Sequence, residues 1–355
     1  MPELSTIHPT LLDHAKGLEP DGTVAVVAEI LSQTNDITLD GVMVEANQPT
    51  GHQMSIRTGL PEVFWKILNQ GTAPSTSTKA QITEGMGILT AISEVDVDLA
   101  DINGNREAYL MSEARAFLEA MSQQWASATF YGNPAVTPER PLGLAPRYSD
   151  VSAGNAANII DGGGGAGLVN TSIWLIVWGS ETVFYVYPKG SSIGITHDRM
   201  GTQMVPQASA NWTAGSSQPN LRLQAIVDVF KLKVGLAVKD WRYAVRIANV
   251  EVNAGAGELP TLTGDQAPTS TANILHSMAK AVARIPNLRM GRPAFYMNRT
   301  VFSGLQRIAL EKSSAVLRIN EAVGQFGDDP QAMMSFMKIP IRLCDALVNT
   351  EDQVA

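Results

Sequence analysis

The chain has 355 residues, 45% of them hydrophobic and 17% charged, with a formal net charge of -8 at pH 7. That balance suits a folded chain of about two domains. It argues against a nucleic-acid binder that works through clustered Lys and Arg, since no basic run occurs, and the single cysteine, Cys344, excludes an intrachain disulfide. The opening MPELSTIHPT has neither a basic nor an apolar signal region, so no secretory signal is expected. The longest fully apolar run, Ile173 to Trp178, is far short of the ~20 residues of a membrane span.

Residues 1 to about 20, with Pro2, Pro9 and Pro20 and no clear period, read as an extended arm, and GTVAVVAEILSQ predicts a short helix over Thr23 to Gln33. From Gly41 to Ile102 the chain is punctuated by turns and its strands alternate. In AISEVDVDLADI, apolar Ile92, Val95, Val97 and Leu99 stand against Glu94, Asp96 and Asp98, the pattern of a half-buried strand. The polar GTAPSTSTK reads as a loop tip, so a long β-hairpin excursion is expected over 41–102. The strongest helix follows. Leu110, Ala114, Phe117, Leu118, Met121, Trp125 and Ala128 form one stripe at the helical period, with Asn103 or Asn105 as cap and Gly132 as stop. At 1.5 Å per residue this rod is roughly 39 Å long.

Beyond Asp150 the composition shifts to Gly, Ala, Asn and Ser, and then β-signals dominate. TSIWLIVWGSETVFYVYPKG predicts two strands about a Gly179-Ser180 turn, and LRLQAIVDVFKLKVGLAV and DWRYAVRIANVEV predict two more. The last quarter reads as α/β. TANILHSMAKAVARIP is an amphipathic helix ended by Pro286, RPAFYMN a strand, RTVFSGLQRIALEKS a helix capped by Asn298 or Thr300, and KIPIRLCDAL a late strand.

No catalytic, cofactor-binding or metal site is expected. The glycine loop IIDGGGGAGLV, with Gly163 and Gly165, precedes a strand rather than a helix and lacks a following Lys-Ser or Lys-Thr, so it reads as a connector rather than a phosphate cradle. His8, His14, His52, His197 and His276 share no metal-ligand spacing, and His197 is expected in a polar loop, HDRM. Glu94, Asp96 and Asp98 read as the wet face of a strand. Cys344 has no histidine nearby and reads as a buried, inert thiol. Trp174, Trp178, Tyr185 and Tyr187 lack interleaved basic residues and read as strand core, not as a nucleic-acid platform. Arg242 and Arg246 share a strand face; they fit pairing with a neighbour's carboxylates or ordinary surface charge. A projecting two-stranded hairpin is marginal alone in water, which points to a subunit that lies across neighbours.

The order of these parts resembles the major capsid protein of tailed bacteriophages, the fold named after phage Hong Kong ninety-seven. The spine helix would be NGNREAYLMSEARAFLEAMSQQWASATFYGN, followed by Pro141 to Leu144. RPAFYMNRTVFSGLQRIA resembles the strand-Asn-helix unit of the A-domain, and KIPIRLCDAL the returning strand. TSIWLIVWGSETVFYVYPKGSSIGI and GLAVKDWRYAVRIANVEV resemble a β-rich insertion of some podovirus-type capsid proteins.

The resemblance implies an α+β fold, with an N-arm and short helix over 1–40 and the E-loop hairpin over 41–102. The P-domain spine and following segment would span 103–150, and the β-rich insertion with P-domain strands 151–255. The A-domain would span 256–335, and the returning strand and C-terminus 336–355. It implies a structural protein, not an enzyme, whose copies form hexamers and pentamers of an icosahedral head enclosing double-stranded DNA through weak contacts. Its partners would be itself, a separate scaffolding protein, a portal and a cement or decoration protein, with no membrane. It would be assembled in the host bacterial cytoplasm and reside in the virion. Arg106 and Arg115 are the nearest candidates for an inner-surface contact. Some relatives crosslink an E-loop lysine. Lys66 and Lys79 are the lysines here, and no partner Asn or Glu is recognisable, so crosslinking is not expected. An encapsulin-type compartment shell is the alternative within the fold. A nucleotide-binding enzyme using the glycine loop and a β-rich adhesin or tail component are the alternatives outside it.

Overall fold

The computed structural model describes Pro9 and residues 32–164, 169–206, 222–252, 274–310, 317–321 and 332–354. The expected arm over residues 1 to about 20 and the helix Thr23–Gln33 lie, but for Pro9, Ser32 and Gln33, outside these residues. The helices are α1 (Ile37–Asp40), α2 (Val97–Ala100), α3 (Arg106–Tyr131), α4 (Ile274–Arg284) and α5 (Arg299–Leu310). The strands begin with β1 (Met43–Glu45), β2 (Gly51–Gly59), β3 (Thr78–Gly85) and β4 (Gly87–Asp96). Next come β5 (Ile159–Asp161), β6 (Asn170–Trp178), β7 (Val183–Tyr187), β8 (Ile195–Pro206) and β9 (Arg222–Val238). The last are β10 (Ala244–Glu251), β11 (Arg292–Met297), β12 (Leu317–Glu321), β13 (Ala332–Phe336) and β14 (Ile339–Leu343). They divide into two compact units, one built on Ile88–Trp125 and Gly194–Lys233, the other on Thr34–Gly87, Ala126–Ile193 and Val234–Ala355.

In the larger unit β6 is central, and all nine of its residues are buried. A run such as Ile173-Trp174-Leu175-Ile176-Val177 has no polar face, which suits a strand covered on both sides. β10 runs antiparallel along one edge, with Arg246 opposite Trp174, and β11 antiparallel along the other, with Tyr296 opposite Trp174. β14 pairs parallel with β11, and β13 and β12 follow. α4 and α5 cover one face through Ile274, Met278, Ala281, Val301 and Leu305. Asn298 caps α5 as expected: its side-chain oxygen accepts the Val301 amide at 2.9 Å.

Within 151–255, β5, β6, β7 and β10 belong to the same sheet as β11 and β14. The two strands expected about Gly179-Ser180 are present as β6 and β7, which meet in parallel register only at Trp178 and Val183. And β10 begins at Ala244, because Trp241–Tyr243 is a 3₁₀ turn whose preceding Asp240 accepts the Arg242 amide.

In the smaller unit β8 pairs antiparallel with β9 over eleven registered positions, from Ile195 opposite Leu232 to Pro206 opposite Arg222, and β4 lies beside β9. The first part of α3 packs here through Tyr109 and Leu110 against Val95 and Ile226, with Phe117 stacked on Phe230 at 6.0 Å. The expected stripe on α3 is uneven: Leu110 and Met121 are buried, whereas Leu118 is exposed. The strand in AISEVDVDLADI stops at Asp96, whose carboxylate accepts the Asp98 amide and caps the short α2. An aspartate two residues before a free amide favours such a cap over a further strand residue.

Candidate assembly interface

β2 and β3 pair only with each other, from Gly51 opposite Gly85 to Gly59 opposite Thr78. The excursion expected over 41–102 is thus narrower. β1 runs parallel to β7, with Val44 opposite Val186, and β4 belongs beside β9. A strand of nine residues carries the hairpin about 30 Å.

Its base is held firmly. Met54 and Glu84 are buried, and Met54 packs with Phe184, Val186 and Ala237. His52 meets the Phe184 ring edge-on at 5.6 Å. Arg147 donates two parallel hydrogen bonds to Glu84, Nη1 to Oε1 at 2.6 Å and Nη2 to Oε2 at 2.7 Å. The same guanidinium also donates to the carbonyls of Leu142, Gly143 and Leu236. A fork of this kind fixes direction as well as position. Gly235 lets the strand pass close, because a Cβ there would sit 2.6 Å from the Gly85 carbonyl oxygen.

The tip is the reverse. Trp65 is 103% exposed, Leu68 92%, Val63 90% and Leu60 81%, and Phe64 and Ile67 are also exposed. Six large apolar side chains within nine residues are left in water, more than scattered surface hydrophobics require.

The other residues singled out in the sequence fall elsewhere. Gly162 and Gly164 spend their amides on the carbonyls of Ala248 and Asn249, at 2.8 and 2.7 Å, and Gly163 donates to Asp161 and takes φ +85°. The Gly162 and Gly164 amides are thus spent on β10 and the Gly163 amide on β5, and Gly165 lies outside the described residues. His197 is on β8, not in a loop; its ring stacks on Phe230 at 4.6 Å and its Nε2 lies 3.1 Å from Asp228 Oδ1. Trp174, Trp178 and Tyr185 are core, as read from the sequence, and Tyr187 is half-buried. Trp178 donates to the Tyr296 hydroxyl at 2.7 Å, which donates to Asp40 at 2.8 Å. Burial, followed by the nearby Asp40 carboxylate, raises the Tyr296 phenol well above its ordinary range. Arg106 pairs with Asp101 at 3.5 Å and Arg115 is exposed. Among the described residues no group of three His, Cys, Asp or Glu has the arrangement of a metal site. No described helix is long and apolar enough to cross a membrane.

Arg242 and Arg246 part company. Arg242 turns back to Asp240 at 2.7 Å, whereas Arg246 is buried and meets Glu351 at 2.8 Å. Glu351 also accepts Tyr131 Oη and Ser172 Oγ, each at 2.5 Å, and its amide donates to the Asn170 carbonyl. Asn249, at a bulge with φ +54°, exchanges two hydrogen bonds with the Val354 backbone. The C-terminal segment is thereby fastened to the start of β6. The expectation that Arg246 is a surface charge or a partner for a neighbour fails, because a residue 105 positions later supplies its carboxylate.

The chain is similar to the solved structure of bacteriophage Epsilon15, with 26% identity and a TM-score of 0.71 over 100% of this chain and 99% of that one. It belongs to the family described as major capsid protein GP7, which matches residues 19–355. It is a structural subunit of an icosahedral phage capsid, built from copies of itself. More distant likenesses are the bacteriophage JBD30 capsid and an encapsulin complex from Synechococcus elongatus. The first has 10% identity and a TM-score of 0.46 over 93% of this chain and 99% of that one. The second has 10% identity and a TM-score of 0.45 over 64% and 92%. No curated protein matches the chain.

Proposed function

We propose that the chain forms hexamers and pentamers of a phage head that encloses double-stranded DNA. Its β2–β3 hairpin is the E-loop, laid across an adjoining copy. The observation that carries this reading is the contrast within the hairpin, a base fixed by Arg147 and Glu84 and a tip whose apolar side chains stand in water. Burial of a Leu, Ile or Phe side chain stabilises by about 1.5–3 kcal/mol. Several such tips per ring give avidity without any single strong contact. Few phosphate contacts are needed by a shell that contains its genome without gripping it, in keeping with the net charge of -8. The role is structural, and no reaction is assigned to it. A separate scaffolding protein directs assembly in the bacterial cytoplasm, and a portal and a decoration protein complete the head.

The test is expression of the full chain, alone and with a co-expressed scaffolding protein, followed by electron microscopy. Closed shells with fivefold and sixfold rings are expected. A chain that stays monomeric under both conditions overturns the proposal, and shells that hold enzyme cargo in place of DNA during phage growth overturn the genome-container part of it.

A further inference from the structure

The exposed tip of the hairpin has a helical period in a non-helical conformation. Leu60, Val63, Phe64, Ile67 and Leu68 follow one another at steps of 3, 1, 3 and 1. On a helix these five occupy an arc of about 140°, with Glu62, Lys66 and Asn69 opposite. Pro61 stands where a helix begins, its missing N–H being no loss in the first turn. Glu62 and Lys66 are four apart in the favourable order. Yet residues 60–67 are neither helix nor strand, and every apolar side chain of the set is exposed. The stop is already in place. Asn69 has φ +69°, and the Gln70 amide donates to the Ile67 carbonyl at 3.1 Å, a left-handed residue closing a turn as at a helix C-terminus. The start is held differently: Ser75 Oγ donates to the Glu62 carbonyl at 2.6 Å, tying the first turn to the loop that leads into β3.

We propose that Pro61–Leu68 folds into two turns of helix when the tip docks on a second copy of this chain, with Phe64, Ile67 and Leu68 as the anchor. Short helices are marginal in water, so the period is unrewarded until an apolar surface covers it. The occupant is a second copy for two reasons. The family builds shells from copies of one chain. And the tip, with one Glu and one Lys, carries no net charge, so it approaches the surface of a chain of net charge -8 without repulsion, whereas a nucleic-acid partner calls for a basic excess.

This inference rests on the reading of the chain as a shell subunit, and the test separates the two. Amide exchange over 60–70 is followed in free subunits and in purified shells. In shells the amides of Trp65 to Leu68 are expected to exchange at least ~100-fold more slowly than in free subunits, the four donors of a helix that begins at Pro61. Ile67→Asp is expected to lower shell yield at least tenfold. Lys66→Pro keeps every apolar residue but removes a helix N–H and crowds the Glu62 carbonyl, and is expected to lower it as far, while Lys66→Ala leaves it unchanged. A photo-crosslinker in place of Trp65 is expected to capture a second copy. Shells formed by Lys66→Pro at the wild-type yield, unprotected amides, or capture only within one molecule, of a scaffolding protein or of DNA each overturn the inference while the shell reading stands. Failure of the unaltered chain to form shells overturns the shell reading itself.

Discussion

Arg147 grips Glu84 with both ends of its guanidinium, at 2.6 and 2.7 Å, across 63 residues of sequence. The pair is almost dry, with side-chain exposures of 15% and 5%. It fixes where the hairpin leaves the larger unit, so the exposed tip is delivered in one direction. Removing one partner strands the other charge, which costs about 3–5 kcal/mol. Arg147→Ala and Glu84→Ala should each lower the thermal midpoint by several degrees and open β2 and β3 to protease. Replacing both by methionine should recover part of the loss, because burial of matched apolar groups is nearly neutral while the Leu142, Gly143 and Leu236 carbonyls still lose a donor. Equal losses in the double and single variants would show that the pair is not the anchor.

The clasp on Glu351 predicts that the C-terminal residues are part of the fold. Its carboxylate takes hydrogen bonds from Tyr131, Ser172 and Arg246, and the Arg246 guanidinium also lies 5.4 Å from the Trp174 ring centroid. Glu351→Ala is expected to cost about 3–5 kcal/mol, as for any broken buried ion pair, and Tyr131→Phe about 1.5–3 kcal/mol, as for a hydrogen bond to a charge. Denaturant unfolding measures both. Truncation before Glu351 is expected to destabilise the chain at least as much as Glu351→Ala. A truncated chain of full stability would refute the clasp.

Much of this fold is legible in the sequence, and the division has a physical basis. The 26-residue α3, the α4 and α5 helices and the β6 and β11 strands announce themselves because periodicity and caps are local. What is not legible is pairing at long range. Nothing near Glu84 indicates Arg147, and nothing near Arg246 indicates Glu351, since neither short-range spacing nor composition encodes a contact made by topology. The β10 alternation placed Trp241 and Tyr243 on the strand, but Asp240 captured the Arg242 amide first. His197 reads as a loop residue from its polar neighbours, yet β9 pairs with it and supplies Phe230 directly opposite.

The glycine loop yields a prediction about function as well as stability. A Cβ on Gly164 would lie 2.3 Å from Asn170 Oδ1 and 2.6 Å from the Asn249 carbonyl, and one on Gly162 would lie 2.8 Å from the Ala248 carbonyl. Overpacking against backbone costs about 1–3 kcal/mol. Gly164→Ala should therefore destabilise the chain by that amount in a melt. Calorimetry with ATP, GTP and NAD should give no heat of binding with the unaltered chain. Saturable nucleotide binding that Gly164→Ala abolishes would restore the discarded phosphate reading.

Cys344 predicts a chemical silence. It is fully buried, and its thiol lies 3.3 Å from Asn35 Oδ1. Burial is the main force that pushes it up, from 9.0 to about 12. Iodoacetamide at pH 8 should leave the native chain unlabelled and label it once per chain in guanidinium. The folded state holds the proton more tightly than the unfolded one. The contribution is therefore fully present below about pH 9 and is lost as pH rises towards 12. Cys344→Ala should show a shallower loss of stability over that range. Fast native labelling would contradict the burial.

The turn between β13 and β14 is made by Met337 and Lys338, with φ of +50° and +69°. Phe336 pairs with Ile339 on either side, so the loop has two residues, both left-handed. Two-residue hairpins of this hand favour Asn-Gly, because a side chain with a Cβ crowds the following carbonyl in that region. Met337 is also exposed and gains nothing from its apolar side chain. Replacing Met337 by Asn and Lys338 by Gly together should raise stability by about 1 kcal/mol, with most of the gain from position 338. Denaturant midpoints of the two single variants and the double variant measure this. A destabilised double variant would mean that the left-handed pair is not the conformation the turn adopts.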